Sequence, residues 1–303
     1  MTPNKNNLAV VKSNVLNQAS YRLTLVEMQI ILMAIANINN SNNFSFGDTI
    51  TIKAKDFAVM FNSDLKSTYA QLKEAVDKLF IRFVQYTDID EETGFKRVNK
   101  VRWISKASYI DDAGNVQFVF SSELKNHLTF LKQEFTAYRI QQIGHLSSIY
   151  AVRIYELLIQ FKGSYIKFIT VDELRNILGL TTEHKLFADF KIKVLDIAME
   201  QINKHTDMCV KYELAKTGRK YTDITFKFVL EKENTTQIQL TDKQRLMYAA
   251  KLSKYQPYIR EFALAGEFEK NFFKRILKLL EDLELNNYLI VWLYEVGFKP
   301  ARN

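Results

Sequence analysis

The stretch Phe187 to Lys204, FADFKIKVLDIAMEQINK, constrains the fold more than any other part of the chain. On a 3.6-residue period Phe187, Phe190, Val194, Ala198 and Ile202 fall on one stripe, and Asp189, Lys193, Asp196, Glu200 and Asn203 fall opposite. A helix with this pattern must bury one side and keep the other wet. Just upstream, Phe168 to Leu180 (FITVDELRNILGL) predicts a short strand and a second helix closed at Gly179, because glycine readily takes the left-handed conformation that ends helices. Just downstream, Met208 to Leu230 predicts two strands, MCVKYEL and DITFKFVL. They are joined by Ala215-Lys-Thr-Gly-Arg-Lys-Tyr, a turn with three cations and no acid.

Helix, turn, helix and then a hairpin with a basic tip is the order of a winged helix-turn-helix. That module sets its second helix in the major groove and lays its hairpin along the backbone or minor groove. Two helices and a hairpin also occur in α+β domains that never touch nucleic acid, so the stretch alone does not decide a function. Repetition strengthens the reading. In the first half, Leu23 to Ile38 predicts a helix with Leu25, Met28, Ile31 or Leu32, and Ile35 on its apolar face, followed by a loop over Asn37 to Asn43. Thr49 to Lys53 alternates as a strand, Lys55 to Phe61 makes a short helix, and Ser63 to Ile81 a longer one. In the longer helix Tyr69, Leu72, Val76 and Leu79 face inward, while Lys66, Ser67, Lys73 and Glu74 face out. Arg82 to Thr87 and Phe95 to Lys106 predict hairpin strands around the acidic turn Asp88-Ile-Asp-Glu-Glu-Thr-Gly.

Comparison of the halves matches Phe57 with Leu174, 117 positions on, and Val76 and Leu79 with Val194 and Ile197, each 118 positions on. The leading helices correspond as Leu23 to Ile38 with Ile149 to Phe161. A nearly constant offset across strand, helix, gap and helix points to two copies of one module. The expected fold class is therefore α+β: two tandem winged-helix domains from an internal duplication, plus a helical C-terminal tail. The expected boundaries are a polar, Asn-rich arm over 1–20, in which Leu8-Ala-Val-Val is a candidate strand, a first domain over 21–140, a second over 141–235 and the tail over 236–303. Within this frame Gln117 to Phe120 is a strand, Ser121 to Leu131 a helix, and 132–148 a connection. In the tail TDKQRLMYAAKLSKY, FEKNFFKRILKLLEDL and YLIVWLYEVGF are helical in pattern, interrupted at Pro257 and Gly266.

A length of 303 residues suits two domains with an appendage. Hydrophobic content of 47% and aromatic content of 13% exclude general disorder. A net charge of +8 with a pI near 9.2 suits a polyanionic partner. No apolar run approaches the roughly 20 residues needed to span a bilayer. The opening MTPNKNNLAVVKSN lacks the apolar core of a signal peptide. One cysteine, Cys209, cannot make an intrachain disulfide, and in its predicted strand it is expected to act as a small buried hydrophobe. The expectation is a cytoplasmic protein with no membrane partner.

Catalytic signatures are sparse. There is no G-x-x-x-x-G-K-[ST] segment and no G-x-G-x-x-G, so an ATP-driven helicase is not expected. The four histidines, His127, His145, His184 and His205, are scattered, and none forms the His-x-His pair that a metal-dependent nickase needs. One cysteine cannot build a zinc finger. Asp88, Asp90, Glu91 and Glu92 form the best acidic cluster, whose functional reading is a Mg²⁺ site of a nuclease. The plainer reading is a solvated hairpin tip closed by Thr93-Gly94, and Asp111-Asp112 is another turn of that kind. No enzyme activity, cofactor or metal is expected, with the nuclease as the alternative from another class.

The basic features say more. Phe95 to Lys106 carries Lys96, Arg97, Lys100, Arg102 and Lys106 with no acid, and Phe95 and Trp103 are interleaved. Phosphate binding needs such cations on one exposed ribbon. Lys216, Arg219 and Lys220 are the equivalent tip in the second half. His184, Lys185 and Lys193 lie around the start of the second long helix, where groove-reading residues sit. Asp196 and Glu200, further along, would repel phosphate, so only the first two turns are expected to enter the groove.

At this point a family resemblance can be stated. SSIYAVRIYELLIQF, then ITVDELRNILGL, then FADFKIKVLDIAMEQIN resembles the initiator Rep proteins of iteron-type bacterial plasmids, and SYRLTLVEMQIILMAIANIN is similar to the start of that family's first domain. The resemblance covers residues 8 to 232. Its most specific part is Arg153-Ile-Tyr-Glu-Leu-Leu together with Phe190-Lys191, Val194-Leu195, Ala198 and Ile202-Asn203. It implies double-stranded DNA as partner. Monomers would bind direct repeats at the origin, and dimers formed through the first domain (residues 1 to 140) would bind an inverted repeat at the protein's own promoter. It also implies origin opening and recruitment of host replication initiation proteins and helicase, without catalysis. By position in the motif, His184, Lys185, Lys191 and Lys193 would carry recognition, with Lys66, Ser67 and Lys73 matching them in the first domain. A transcriptional repressor that does nothing more is the alternative within DNA binding.

Overall fold

The computed structural model describes residues 8–39, 41, 44–90, 92–129, 134–230, 240–256, 258, 259, 263, 264, 266–281, 289, 293 and 296–298. The first described strand lies in the core. Strand β1 (Ala9–Ser13) pairs antiparallel with β8 (Phe135–Arg139), from Ala9 opposite Arg139 to Ser13 opposite Phe135. Helix α1 (Asn14–Gln18) follows, capped by the Ser13 hydroxyl, which accepts from the Leu16 N–H. Then comes the two-residue strand β2 (Ser20–Tyr21). Val10, Leu16, Ala19 and Tyr21 are buried, so residues 9–20 are not the arm that their polar composition predicts. Lys12, Ser13 and Asn17 mislead because they are polar yet buried, each with internal partners. Residues 1–7 lie outside the described residues.

Helix α2 (Leu25–Asn39) opens with a capping box. The Thr24 hydroxyl accepts from the Glu27 N–H at 3.3 Å, and the Thr24 N–H donates to the Glu27 carboxylate at 2.8 Å. Arg82 forks onto the same buried carboxylate from the end of the next long helix, with both contacts at 3.2 Å. Strand β3 (Ile50–Lys53), helices α3 (Ala54–Phe61) and α4 (Leu65–Ile81), and strands β6 (Ile104–Ile110) and β7 (Asn115–Phe120) complete the first domain. Its sheet has the order β3-β7-β6. Leu72, Val76 and Leu79 are buried as their spacing predicts, and Tyr69 is half-buried.

Between α4 and β6 lies a second hairpin, β4 (Phe83–Ile89) with β5 (Lys96–Arg102), in a separate sheet of order β2-β4-β5. The chain corners at Trp103, which is 1% exposed and meets Tyr21 edge to face at 5.1 Å. Phe95 to Lys106 is therefore not one exposed basic ribbon. β5 ends at Arg102, Trp103 is core, and Lys106 belongs to another sheet. Two nearby expectations also change. Ser121 to Leu131 forms only a 3₁₀ turn over Ser122–Leu124 and a short helix α5 (Lys125–Leu128), with 130 and 131 outside the described residues. The expected connection over 132–148 contains β8.

The second domain repeats the plan. Helix α6 (Ile149–Ile159) is buried at every position from Ala151 to Ile159. Strand β9 (Ile166–Thr170), helix α7 (Val171–Ile177), the long helix α8 (Phe187–His205) and strands β10 (Met208–Thr217) and β11 (Lys220–Leu230) follow, with sheet order β10-β11-β9. Gly179 has φ 68° just past α7, as the predicted helix end requires. Cys209 on β10 is half-buried, not fully buried as expected.

Set side by side, β9-β11-β10 corresponds to β3-β7-β6. The first domain's counterpart of the β10–β11 hairpin is thus β6–β7, whose turn over Asp111–Ala113 carries no cation. The β4–β5 hairpin, expected from sequence to be that counterpart, is an insertion between α4 and β6.

Helix α8 is α-helical over Phe187–Phe190, π-helical over Lys191–Asp196 and α-helical again over Ile197–His205. The π turn inserts one residue between Phe190 and the buried pair Val194–Leu195, which matches the buried pair Ala75–Val76 of α4; Ala198, Met199 and Ile202 follow. This corrects the constant offset. Leu79 corresponds by burial to Ala198, 119 positions on, and not to Ile197, which is 37% exposed. An ion pair from Lys191 to Asp196 at 2.8 Å has the five-residue spacing of a π turn.

The two domains share one apolar core and interlock through Arg153 on α6. Its guanidinium donates to the carbonyls of Asn17 (3.2 Å), Ala19 (2.9 Å) and Ile177 (3.1 Å) and to the Tyr21 hydroxyl, and it lies 3.8 Å from the Tyr21 ring centre. Gly179 packs against the same segment. The tail has its own core, with Tyr248, Leu252, Phe272 and Ile276 buried between α9 (Asp242–Leu252) and α10 (Glu269–Glu281). Of the predicted helix YLIVWLYEVGF only 289, 293 and 296–298 are among the described residues, and Pro257 lies outside them.

Candidate nucleic-acid interface

In the second domain, tertiary contacts bring the start of α8 and the tip of the β10–β11 hairpin together. Phe187, the first residue of α8, stacks on Tyr221 with ring centres 4.4 Å apart and planes 21° apart. Tyr221 sits opposite Lys216 beside the two-residue turn Gly218-Arg219, and Gly218 has φ 62°, a conformation suited to glycine. Lys216 lies 4.4 Å over the Tyr221 ring, and Arg219 and Lys220 are exposed. The sequence places Phe187 on the core stripe; the structure gives it a half-buried position holding the hairpin to the helix.

The loop before α8 is built by Arg175, which sequence reasoning missed. It lies 4.4 Å over the Phe190 ring and donates to the carbonyls of His184 (2.6 Å) and Lys185 (3.5 Å). A cation in the last turn of α7 was the available signal. His184 precedes the helix in a left-handed conformation (φ 50°), and its ring meets Tyr150 edge to face at 6.0 Å. Lys185 beside it is exposed.

The helix lysines are engaged. Lys193 reaches Asp189 one turn earlier at 2.9 Å, and this bond holds the Asp189 carboxyl below its usual range. Lys191 bonds Asp196 and lies 5.9 Å over Tyr212; the Asp196 bond, helped by Tyr212, raises the Lys191 ammonium. Lys191 therefore stays charged at neutral pH.

In the first domain Lys66 and Ser67 are exposed at the start of α4. Lys73 is not available in the same way. It pairs with Asp111 at 3.0 Å and lies 5.2 Å over the Tyr109 ring, so the β6–β7 turn is tied to α4. Hydrogen bonds from Tyr69 and then Lys73 hold the Asp111 carboxyl low, so that turn is not simply a solvated tip. On β5, Lys96 is exposed, Lys100 lies 3.7 Å over the Phe83 ring, and Arg102 donates to the Phe80 carbonyl at 2.6 Å. Arg97 forks onto Asp88, its cross-strand partner, at 3.0 and 2.9 Å, and reaches Asp90 at 2.9 Å.

Those contacts bear on the acidic cluster. The Arg97 bonds hold Asp88 low, and Asp90 is held low by the Thr93 hydroxyl and N–H first. The two carboxylates thus face a guanidinium and a turn. Among the described residues no group of three or more His, Cys, Asp or Glu is placed to hold a metal ion. No helix among the described residues is long and apolar enough to cross a membrane.

A family model described as Initiator Replication protein, WH1, matches residues 9–159, and one described as Initiator Rep protein, WH2, matches residues 170–228. An uncharacterized 27.6 kDa protein of Escherichia coli is 26% identical over 222 residues, covering 70% of this chain and 92% of that protein. A replication initiation protein of Escherichia coli is 25% identical over 252 residues, covering 81% of this chain and 77% of that protein. In fold, the chain matches the crystal structure of the Pi initiator protein in complex with iteron DNA, with a TM-score of 0.64 and 23% identity over 75% of this chain and 99% of that one. With both halves matched in order and the two sheets built on one plan, the chain belongs to the initiator replication protein family, whose members carry tandem winged-helix domains.

Proposed function

We propose that this protein is a plasmid replication initiator that binds direct repeats (iterons) in double-stranded DNA at its origin. In this reading it opens the origin and recruits host replication initiation proteins and helicase, acting in the cytoplasm without catalysis of its own. We take the domains as 21–140, with residues 9–20 packed into its core, and 141–235, joined by the interlock at Arg153, with 236–303 as a tail. The observation that carries the reading is the Phe187–Tyr221 stack. It sets the cationic hairpin tip beside the first turn of α8, so one element can enter a groove while the other grips phosphate. The non-catalytic part is supported by Arg97, which occupies the side of Asp88 and Asp90 that a metal would need.

The first domain is the proposed site of dimerisation, with a dimer in equilibrium with the monomer repressing the protein's own promoter. A minimal replicon tests the whole reading. A plasmid carrying this gene with its flanking DNA as sole replication function should be maintained, and a frameshift in the gene should abolish maintenance until the protein is supplied in trans. A chain that binds the flanking DNA but cannot sustain the replicon is a repressor only.

A further inference from the structure

The outward face of the first two turns of α8 is not built from available cations. Lys193 is bound by Asp189 and Lys191 by Asp196, and along the helix three acids (Asp189, Asp196, Glu200) offset three lysines (Lys191, Lys193, Lys204). Apart from Lys185 in the loop before the helix, what that face presents without a partner among the described residues is apolar. Ile192 is 60% exposed, Ala188 one turn earlier is exposed, and Leu186 just before the helix is 71% exposed. The π turn produces this arrangement. It puts three residues, Lys191, Ile192 and Lys193, between the buried Phe190 and Val194, where α4 has two, Lys73 and Glu74, between Leu72 and Ala75, and Ile192 and Lys193 both point outward. In α4 the matching stretch, Lys66, Ser67, Ala70 and Gln71, is exposed and mostly polar. An exposed β-branched residue contributes nothing to helix formation relative to alanine, so the fold itself does not call for isoleucine at 192.

In the major groove the one apolar group on a base edge is the thymine 5-methyl. We propose that Ile192 reads a thymine 5-methyl group in the repeat, with Ala188 small enough to let the helix approach the base edges. This rests on α8 being the groove helix, and it replaces a lysine-based readout in this domain with an apolar one. Lys193 and Asp189 then form a paired rim around the contact, and the hairpin tip supplies the phosphate grip.

The test uses the full chain and duplexes recovered on it by selection from a random library. Each thymine of the selected duplex is replaced singly by deoxyuridine, which removes the methyl and leaves the pairing edge intact. Affinities of the wild type and of Ile192→Ala are then measured by fluorescence anisotropy. Ala is a good helix former, and circular dichroism checks the fold of the variant. The expected result is a thymine whose replacement weakens wild-type binding about four-fold, the factor for burying one methyl-sized group. The same replacement should have no effect on Ile192→Ala, which binds the selected duplex several-fold more weakly but scrambled DNA unchanged. A consensus on which both proteins show the same deoxyuridine profile overturns this inference alone. If selection recovers no consensus, or if Ile192→Ala weakens selected and scrambled DNA alike, the groove-helix reading falls and this inference with it.

Discussion

Three charges are buried together where β1 meets α6. Lys12 Nζ is 2.7 Å from Glu156 Oε1, and Arg153 Nη1 is 3.7 Å from Glu156 Oε2, with none of the three side chains more than 3% exposed. The Tyr138 hydroxyl also donates to Glu156 at 2.7 Å. Two cations share one carboxylate, so the two ways of breaking the cluster are unequal. Glu156→Gln leaves two buried cations with no counter-charge. Breaking a buried pair costs about 3–5 kcal/mol, and mutual repulsion adds to it. Lys12→Met leaves a balanced Arg153–Glu156 pair and a side chain of similar length, and should cost about 1 kcal/mol.

The pH dependence follows from the same cluster. Burial pushes the Lys12 ammonium down from 10.5 to about 8, despite the opposing pull of Glu156. The folded value lies below the unfolded one, so between them the unfolded chain binds more protons. Stability should therefore rise as pH climbs from about 8 toward 10.5. That rise should vanish in Lys12→Met and begin at lower pH in Glu156→Gln. Urea unfolding followed by far-UV circular dichroism, at pH about 7 and about 9.5, reads both effects as midpoint shifts. A Lys12→Met variant as damaged as Glu156→Gln, or a wild type with no rise, would refute the assignment of the shared carboxylate as the centre of the cluster.

Binding to origin DNA should weaken linearly in log K against log salt. Arg219→Ala should lower that slope by about one and weaken repeat and scrambled DNA alike. Lys193→Ala should cost less than about 1 kcal/mol on the repeat and on scrambled DNA alike in the same titrations, because Lys193 is paired with Asp189 at the rim; a loss of about 1–3 kcal/mol confined to the repeat would restore a lysine-based readout. Gly179→Ala should cost at least about 2 kcal/mol in thermal or urea unfolding. Its φ of 68° strains any side chain, and a Cβ would lie 2.6 Å from the Tyr21 carbonyl oxygen; an unchanged midpoint would show that the segment yields. The purified chain should neither nick supercoiled DNA with Mg²⁺ nor hydrolyse ATP, and nicking lost on Asp90→Ala would put a nuclease in place of the initiator.

Much of this was legible along the chain because it is encoded within one or two turns. The Phe190, Val194, Ala198 and Ile202 stripe, the helix end at Gly179 and the basic tip at Gly218-Arg219 depend on periodicity and turn chemistry, which a short window contains. The Arg153-Ile-Tyr-Glu-Leu-Leu motif could be singled out too, but not its role. Arg153 and Glu156 are buried and hold the domains together, and the Tyr155 hydroxyl donates to Asp207 at 3.0 Å. What only the tertiary structure decided depends on partners far away in sequence. β1 finds β8 across more than a hundred residues, and that pairing turns a polar arm into core. Trp103 is buried against Tyr21, which splits one basic run between two sheets. Sheet order makes β6–β7 the counterpart of the β10–β11 hairpin. The π turn shifts the register of α8 by one residue, and the acids beside Lys73, Lys191 and Lys193 engage them. A residue's type sets what it can bond. Whether a cation faces DNA or a neighbouring carboxylate is a question of distance, and distance is settled only when the chain has packed.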